Sequence, residues 1–480
     1  MEAIDDARSV RKARSDATFD GILIRLFAFV LTLFVVPAIA LSQTSGSDAD
    51  TSQEPSAKER HGGIIPLRDF AGDLSSRANL LGDWGGLRSD LARKGINFRG
   101  SLTPLLQSVA DGGAEDDAAF GASGDLWAAL DLHRMGLIPG GLVVMRAEWD
   151  VGDSVLKSAG TIMAPSYNAI LPVANELDDD TLSITSLYYT QFFGEQFGVW
   201  FGRSDTHHNA NLGEFAGLNP HVGKTQFMNL ALTGVPVMPF TQPYVTSLGA
   251  GVFARPTKDL SLAAMVMDSR ESSQRVGLDD FGRDWNAFAA VDLRHSLNGL
   301  PGGQLVGYSY SWNGDYTTLD SGQLPNIIKG TPLTSEDTTW AVIYSGWQYL
   351  QVFSGDTSKP VDLRNGRADH QGWGVFLMAG LADEDTNPVQ WSVAAGVGGR
   401  GILPGRPNDS FGIGYFYVDL VDGAVADLIG LDSEEQGVEL FYEIEIAPWF
   451  HITPDLQIVD PGVVANDTAV ILGLRANVNF

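Results

Sequence analysis

The sequence contains no cysteine among its 480 residues. That excludes a disulfide framework and any thiolate metal centre. It is also short of positive charge: 31 Lys and Arg stand against 59 Asp and Glu, a formal net charge of -28. A chain so charged repels nucleic acid and anionic surfaces, so DNA and RNA are excluded as partners. Charged residues of both signs make up only 19%, below the usual level of about 25% in soluble domains. Long apolar runs are equally scarce. One lies at 25–42, and no later stretch reaches helix-spanning length. If the rest of the chain lies in a membrane, it crosses as a closed barrel, because only helices and closed barrels satisfy every backbone polar group in lipid. What is plentiful is glycine (55 residues) and aromatic side chains (10%). This mixture suits many strands joined by turns and does not suit a helical bundle. The length fits two or three soluble domains or one large barrel.

The apolar run "RLFAFVLTLFVVPAIALS" follows Arg8, Arg11, Lys12 and Arg14 and ends in small residues. A basic flank, an apolar core and a small-x-small site make a secretory signal. The spacing of Ala40 and Ser42 puts the cut before Gln43, with Ala38 and Ala40 giving an alternative site. The run is short for a permanent span, which needs about 20 residues. Residues 1–42 are therefore read as a signal peptide. Residues 43–77, rich at first in Ser, Asp, Gln and Pro, are read as a flexible linker. Residues 78–95 form a short helical lead-in. Leu87, Leu91 and Lys94 have helical spacing, and Gly95 stops the helix.

After Gly95 the apolar period becomes two. In 437–447, Val438, Leu440, Tyr442, Ile444 and Ile446 share one face, while Glu439, Phe441, Glu443 and Glu445 share the other. In 143–151, Val143, Met145, Ala147, Trp149 and Val151 oppose Arg146, Glu148 and Asp150. The final stretch, "AVILGLRANVNF", alternates in the same way down to Phe480. Sixteen such segments can be counted between 96 and 480. Connections such as 298–299, 448 and 384–388 are short, whereas 154–180, 206–242, 315–337 and 357–372 are long. An even strand count with short turns on one side and long loops on the other describes an outer-membrane barrel. A soluble sheet of sixteen strands would expose edges, and a closed barrel has none. The expected fold is thus all-β: a 16-stranded antiparallel transmembrane β-barrel over 96–480, preceded by the helical segment. Trp127, Tyr188, Tyr189, Trp200, Trp312, Trp340, Trp347, Trp373, Trp391, Tyr415, Tyr417 and Trp449 fall near strand ends, where interfacial girdles are expected.

Four stretches resemble the carbohydrate-selective porins of the OprB family: "LLGDWGGLRSDLARKGINF" (80–98), "FGRSD" with "TQFMN" (201–205 and 225–229), the hairpins of 372–417, and the closing strands 437–462 and 469–480. The resemblance covers about 78–480. It implies an outer-membrane barrel passing monosaccharides and related small solutes, such as glucose, by passive diffusion and without an energy source. A general diffusion porin is the alternative, and an outer-membrane lipid hydrolase a more distant one. The resemblance also implies that Phe480 carries a signature read by the barrel-assembly machinery. Lipopolysaccharide is the expected neighbour in the outer leaflet. General porins are often trimers, so a homotrimer is the assembly to test.

Sugar conduction calls for several weak contacts rather than one tight site. The inward phases supply Arg146, Glu148 and Asp150 on one strand, Arg203 and Asp205 at the end of another, and Asp292 with Arg294. The closing strands supply Glu439, Glu443, Glu445, Arg475 and Asn477. These are the candidate lining residues. The reading calls for no catalytic residue, cofactor or metal. His207-His208 and the runs "LDDDT" (177–181) and "ADEDT" (382–386) are read as solvated loops, since neither run has the spacing of a calcium loop. His295-Ser296 lacks a third positioned partner for esterase chemistry.

Overall fold

The computed structural model describes residues 62–68, 70–167, 169, 181–206, 212–217, 224, 226–241, 246–269, 282–318, 323–355 and 370–480. The signal peptide 1–42, the start of the linker, His207-His208 and most of "LDDDT" lie outside the described residues.

Every alternating segment forms a strand. In chain order these are β1 (Ile96–Gly113), β2 (Ala118–Asp131), β3 (Gly141–Gly152), β4 (Thr181–Phe192), β5 (Phe197–Asp205), β6 (Thr246–Thr257), β7 (Leu260–Asp268) and β8 (Trp285–Leu297). They continue as β9 (Leu300–Thr317), β10 (Ser335–Ser354), β11 (Gln371–Ala382), β12 (Val389–Arg400), β13 (Ser410–Leu420), β14 (Glu434–Ala447), β15 (Phe450–Asp460) and β16 (Asp467–Asn479). Each pairs antiparallel with its chain neighbours, and β16 pairs with β1 to close the barrel. At the seam Ser101 faces Asn479 and Leu105 faces Arg475. Closure removes the unpaired strand edges that lipid does not tolerate.

The period of two decides which side chains meet lipid. On β16, Leu472 and Leu474 are about half exposed, while Ile471 and Arg475 on either side of them are fully buried. On β3, Met145 and Val151 point outward and Glu148 is buried. Outward aromatic pairs gather near the rims, among them Trp391 stacked on Tyr417 and Trp449 on Phe450. Four of the aromatics expected in girdles turn inward instead. Trp127, Tyr188 and Trp200 lie on the inward phase of their strands, and Trp347 is packed inside the barrel.

Strict up-and-down order assigns each connection to a rim. One rim carries both ends of the barrel sheet and the tight turns, such as Asn298-Gly299. Both residues of that turn have positive φ (52° and 81°), the backbone a two-residue hairpin requires. By its short turns this is the periplasmic rim. Connection length alone misplaces two segments. The short stretch 384–388 lies on the same rim as the long loops, and the long connection 357–372 belongs to the rim of the turns.

The lead-in clasps the seam at the periplasmic rim. Helix α1 (Leu87–Arg93) starts after Gly86, whose φ of 98° breaks any longer helix. Buried Arg88 donates Nη2 to Phe98 O (2.9 Å) and Phe480 O (2.8 Å) and stacks on Phe70. Asn79 Nδ2 also reaches Phe480 O, and Leu80 N reaches Asn479 O. Burial and neighbouring Arg68 lower the Arg88 guanidinium from its ordinary value, and Asp83 opposes them.

Candidate functional site in the barrel interior

The inner wall divides into two arcs. From β10 to β16 and onto β1 it is covered by chain that folds inward from the long-loop rim. Residues 161–167 and 226–237, together with 212–217, form a belt against this arc. Phe227, Leu232, Val235 and Val237 are fully or almost fully buried in one apolar cluster with Phe215, Trp347, Phe376 and Phe441. The wall makes room by lacking side chains. A Cβ on Gly412 would lie 2.7 Å from Phe227, one on Gly414 2.6 Å from Leu232, and one on Gly380 2.6 Å from Val235. Phe215 fills the space over Gly374 and Gly398 in the same manner.

Polar groups of the wall hold the main chain of the belt. Glu439 accepts from Met228 N (2.5 Å) and Asn229 N (2.9 Å). Arg475 donates to Gln226 O (2.6 Å), and Asn229 Nδ2 donates to Gln457 Oε1 (3.2 Å). Asn229 then caps the short helix α2 (Leu230–Thr233), the Ala231 N donating to its Oδ1. Glu435, one helical-looking but here strand-spaced step of four residues before Glu439, accepts from Ile162 N (2.7 Å), Met163 N (2.8 Å) and Gly462 N (2.9 Å). Pro165 O accepts from Gln457 Nε2 (2.8 Å) and Gln107 Nε2 (3.2 Å), and Leu230 N donates to Ala164 O (3.0 Å), so the two inward segments also bind each other. Lys224 reaches across to Ser123 Oγ on β2 (2.6 Å).

The other arc, β2 to β8, carries side chains of mixed charge, and water reaches Asp125, Arg146, Asp292 and Arg294 in part. Arg146 is 15% exposed and pairs with Asp125, which is 13% exposed. Glu148 lies 3.6 Å from Arg146 and accepts from Thr185 Oγ1 (2.7 Å). An irregularity in the β3–β4 register places Thr185 and Ser186 consecutively in the buried interior, a bulge re-aiming side chains as bulges do. The Arg99 guanidinium lies 3.9 Å over the Trp127 ring, and Arg99, Trp127 and Arg146 share one register row across β1 to β3. Asp205 is fully buried and its charge acts on Arg146 and Tyr188. Farther round, Asp292 and Arg294 pair at 3.3 Å with 22% and 20% exposure. Arg294 also lies 5.2 Å over Trp347, at the border between the arcs. Such a surface offers hydroxyl-bearing solutes donors and acceptors at several points.

The family model for the carbohydrate-selective porin, OprB family matches residues 117–480. The chain belongs to the OprB family. Porin B of Pseudomonas aeruginosa is 24% identical over 449 residues, covering 84% of this chain and 91% of that protein. A putative porin, QuiX, of Acinetobacter baylyi is 22% identical over 454 residues, covering 84% and 93%. Among solved structures, the high-pH form of Pseudomonas putida OprB superimposes with a TM-score of 0.72 at 20% identity, covering 85% of this chain and 100% of that one. As an OprB-family porin the protein is an outer-membrane channel with a preference for carbohydrates, and not an enzyme.

Within this porin the residues expected to line the channel separate. Arg146, Glu148, Asp150, Asp205, Asp292 and Arg294 stand on the arc that carries the exposed charges, with Asp150 in register with Ser123. Arg203 does not join them. It shares the outer face of β5 with Phe201, and its register partner is the half-exposed Leu187. Glu439 and Arg475 are sealed beneath the belt. Glu443, also fully buried, binds His451 Nδ1 (2.7 Å) and Ser410 Oγ (2.6 Å) of the wall. Asn477 holds Thr103 Oγ1 (3.0 Å) across the seam. Glu445 bonds Asn408 Nδ2 (2.7 Å) in the 401–409 connection. Arg99, Asp125 and Trp127 sit in the same polar phase and were legible by alternation. Glu435 lies just outside the segment read as a strand.

Proposed function

We propose that sugars cross this porin along the arc β2 to β8, exchanging water for contacts with Arg99, Asp125, Arg146, Asp292 and Arg294, while buried Glu148 holds Arg146 in place. The observation that carries the reading is the partial exposure of the pairs Arg146–Asp125 and Asp292–Arg294, against the near-complete burial of Glu435, Glu439, Glu443 and Arg475 on the opposite arc. Paired charges of opposite sign give hydroxyl groups both donors and acceptors. Because each charge already has a partner, a sugar binds weakly and leaves readily, as conduction requires. Burial of Trp347 and Tyr349 beneath the belt removes them as stacking platforms, leaving the half-buried Trp127, Tyr188 and Trp200 as the rings a sugar meets.

The same reading has residues 1–42 export the chain through the inner membrane and Phe480 engage the assembly machinery. It places lipopolysaccharide at the long-loop rim and allows assembly as a homotrimer, which cross-linking of the purified porin tests. Liposome swelling with glucose, a neutral disaccharide and amino acids tests the sugar preference. Glucose is expected to enter faster than an amino acid of similar size. Rates that follow solute size alone would make this a general diffusion porin.

A further inference from the structure

The belt is attached to the wall in a way that packing alone does not require. Glu435 and Glu439 lie four residues apart on the inward face of β14, and both are fully buried. Burying a carboxylate is costly unless the charge is satisfied by hydrogen bonds. Here each carboxylate accepts consecutive main-chain N–H groups of an inward segment: 162 and 163 at Glu435, 228 and 229 at Glu439. One strand beyond β15, on β16, Arg475 holds the opposite kind of backbone group, donating to Gln226 O. A carboxyl group on N–H and a guanidinium on C=O, two to three residues apart in the belt, make hydrogen bonds of fixed direction. The apolar seats over Gly412 and Gly414 draw Phe227 and Leu232 to the wall. Such contacts are non-directional. The carboxylate fork and the guanidinium fix where along the wall the main chain rests.

We propose that Glu439, assisted by Arg475 and Glu435, is a positioning residue that sets the width of the channel by holding residues 226–229 flat against β14 to β16. It touches no solute. Without it the belt loses its fixed height on the wall and the passage between the arcs changes from a defined to a looser, wider cross-section. This inference rests on the channel itself and not on the sugar path proposed above.

The test uses the full-length porin in planar bilayers and in liposomes, with Glu439→Ala, Glu439→Gln and Glu435→Ala. Glutamine keeps the shape, but its amide oxygen accepts while its NH2 group faces donors. Folding of each variant is checked by heat-modifiable migration on a gel. Single-channel conductance in Glu439→Ala is expected to rise about twofold, as current follows the open cross-section, with more open-channel noise. Disaccharide entry is expected to rise more than glucose entry. Glu439→Gln should move in the same direction by less, and it decides the matter if the alanine variant does not fold. Glu435→Ala, which frees the 161–167 segment, should also raise conductance. Conductance at or below wild type in the folded Glu439 variants overturns the proposal, even if their melting temperature falls. A changed sugar preference with unchanged ion conductance also overturns it, while leaving the proposed sugar path in place.

Discussion

The two arcs of the inner wall are made from the same kind of strand and end in opposite states. Glu439 and Arg475 on one arc have no exposed surface, whereas Arg146 and Asp292 on the other are 15% and 22% exposed. The difference lies in the residues between the charges. On β11 to β13 the inward phase carries Gly374, Gly380, Gly396, Gly398, Gly412 and Gly414, and an apolar segment settles into the space they leave. On β2 to β4 the inward phase carries Asp125, Trp127, Arg146, Glu148 and Thr185, which fill their own space and satisfy one another. A charged inner face thus serves two ends. Where glycines flank it, it anchors main chain. Where side chains flank it, it stays open to the passage.

The comparison is broken most strongly by emptying a seat on the covered arc. Phe227→Ala removes a fully buried ring and is expected to lower stability by about 3–5 kcal/mol, read from the temperature at which gel migration changes. The outer face sets a second scale. Leu474→Arg, one residue from Arg475 but turned to lipid, is expected to cost about 2–4 kcal/mol in a urea titration. Filling a seat is milder: a side chain on Gly412 meets Phe441 at 2.4 Å and Phe227 at 2.7 Å, and Gly412→Val is expected to cost about 1–3 kcal/mol of the same quantity. On the open arc the effects are on transport. Arg146→Ala leaves Asp125 and Glu148 without their shared cation. The reversal potential in a salt gradient should shift toward cation selectivity. Block of the ion current by sugar should need about three to ten times more sugar, the worth of one hydrogen bond in wet surroundings. The smallest change is Trp127→Phe, which weakens the contact beneath Arg99 by about 0.5–1 kcal/mol or less and should leave the melting temperature almost unmoved.

Much of this architecture is written locally. Alternation places Leu472 outside and Arg475 inside because the strand period is two, and Asn298-Gly299 specifies its own turn. The cover of the inner face is different, since it depends on where 226–229 meets β14, some 210 residues further along the chain. No local pattern encodes that meeting. The inward glycines of β11 to β13 were its signal, and in isolation they read only as strand-weakening or turn-forming residues. Rim assignment failed at 384–388 and 357–372 for a related reason: topology fixes the rim, and connection length follows it only on average. Arg203 stood beside Asp205 in sequence, but Gly202, with φ of 133°, and the bulge on β4 separate their surroundings.

The absence of cysteine makes the central claim directly measurable, since any thiol introduced is the only one present. Single variants Arg146→Cys and Asp292→Cys on the open arc, and Gln457→Cys and Ile471→Cys on the covered arc, would be folded into liposomes and exposed to a small water-soluble methanethiosulfonate. The two open-arc thiols are expected to react readily and, once modified, to slow glucose entry. The two covered-arc thiols are expected to stay unmodified until the barrel is unfolded. Equal reaction at all four positions, with no effect of modification on glucose entry, would contradict the division of the wall into a sealed and a conducting arc.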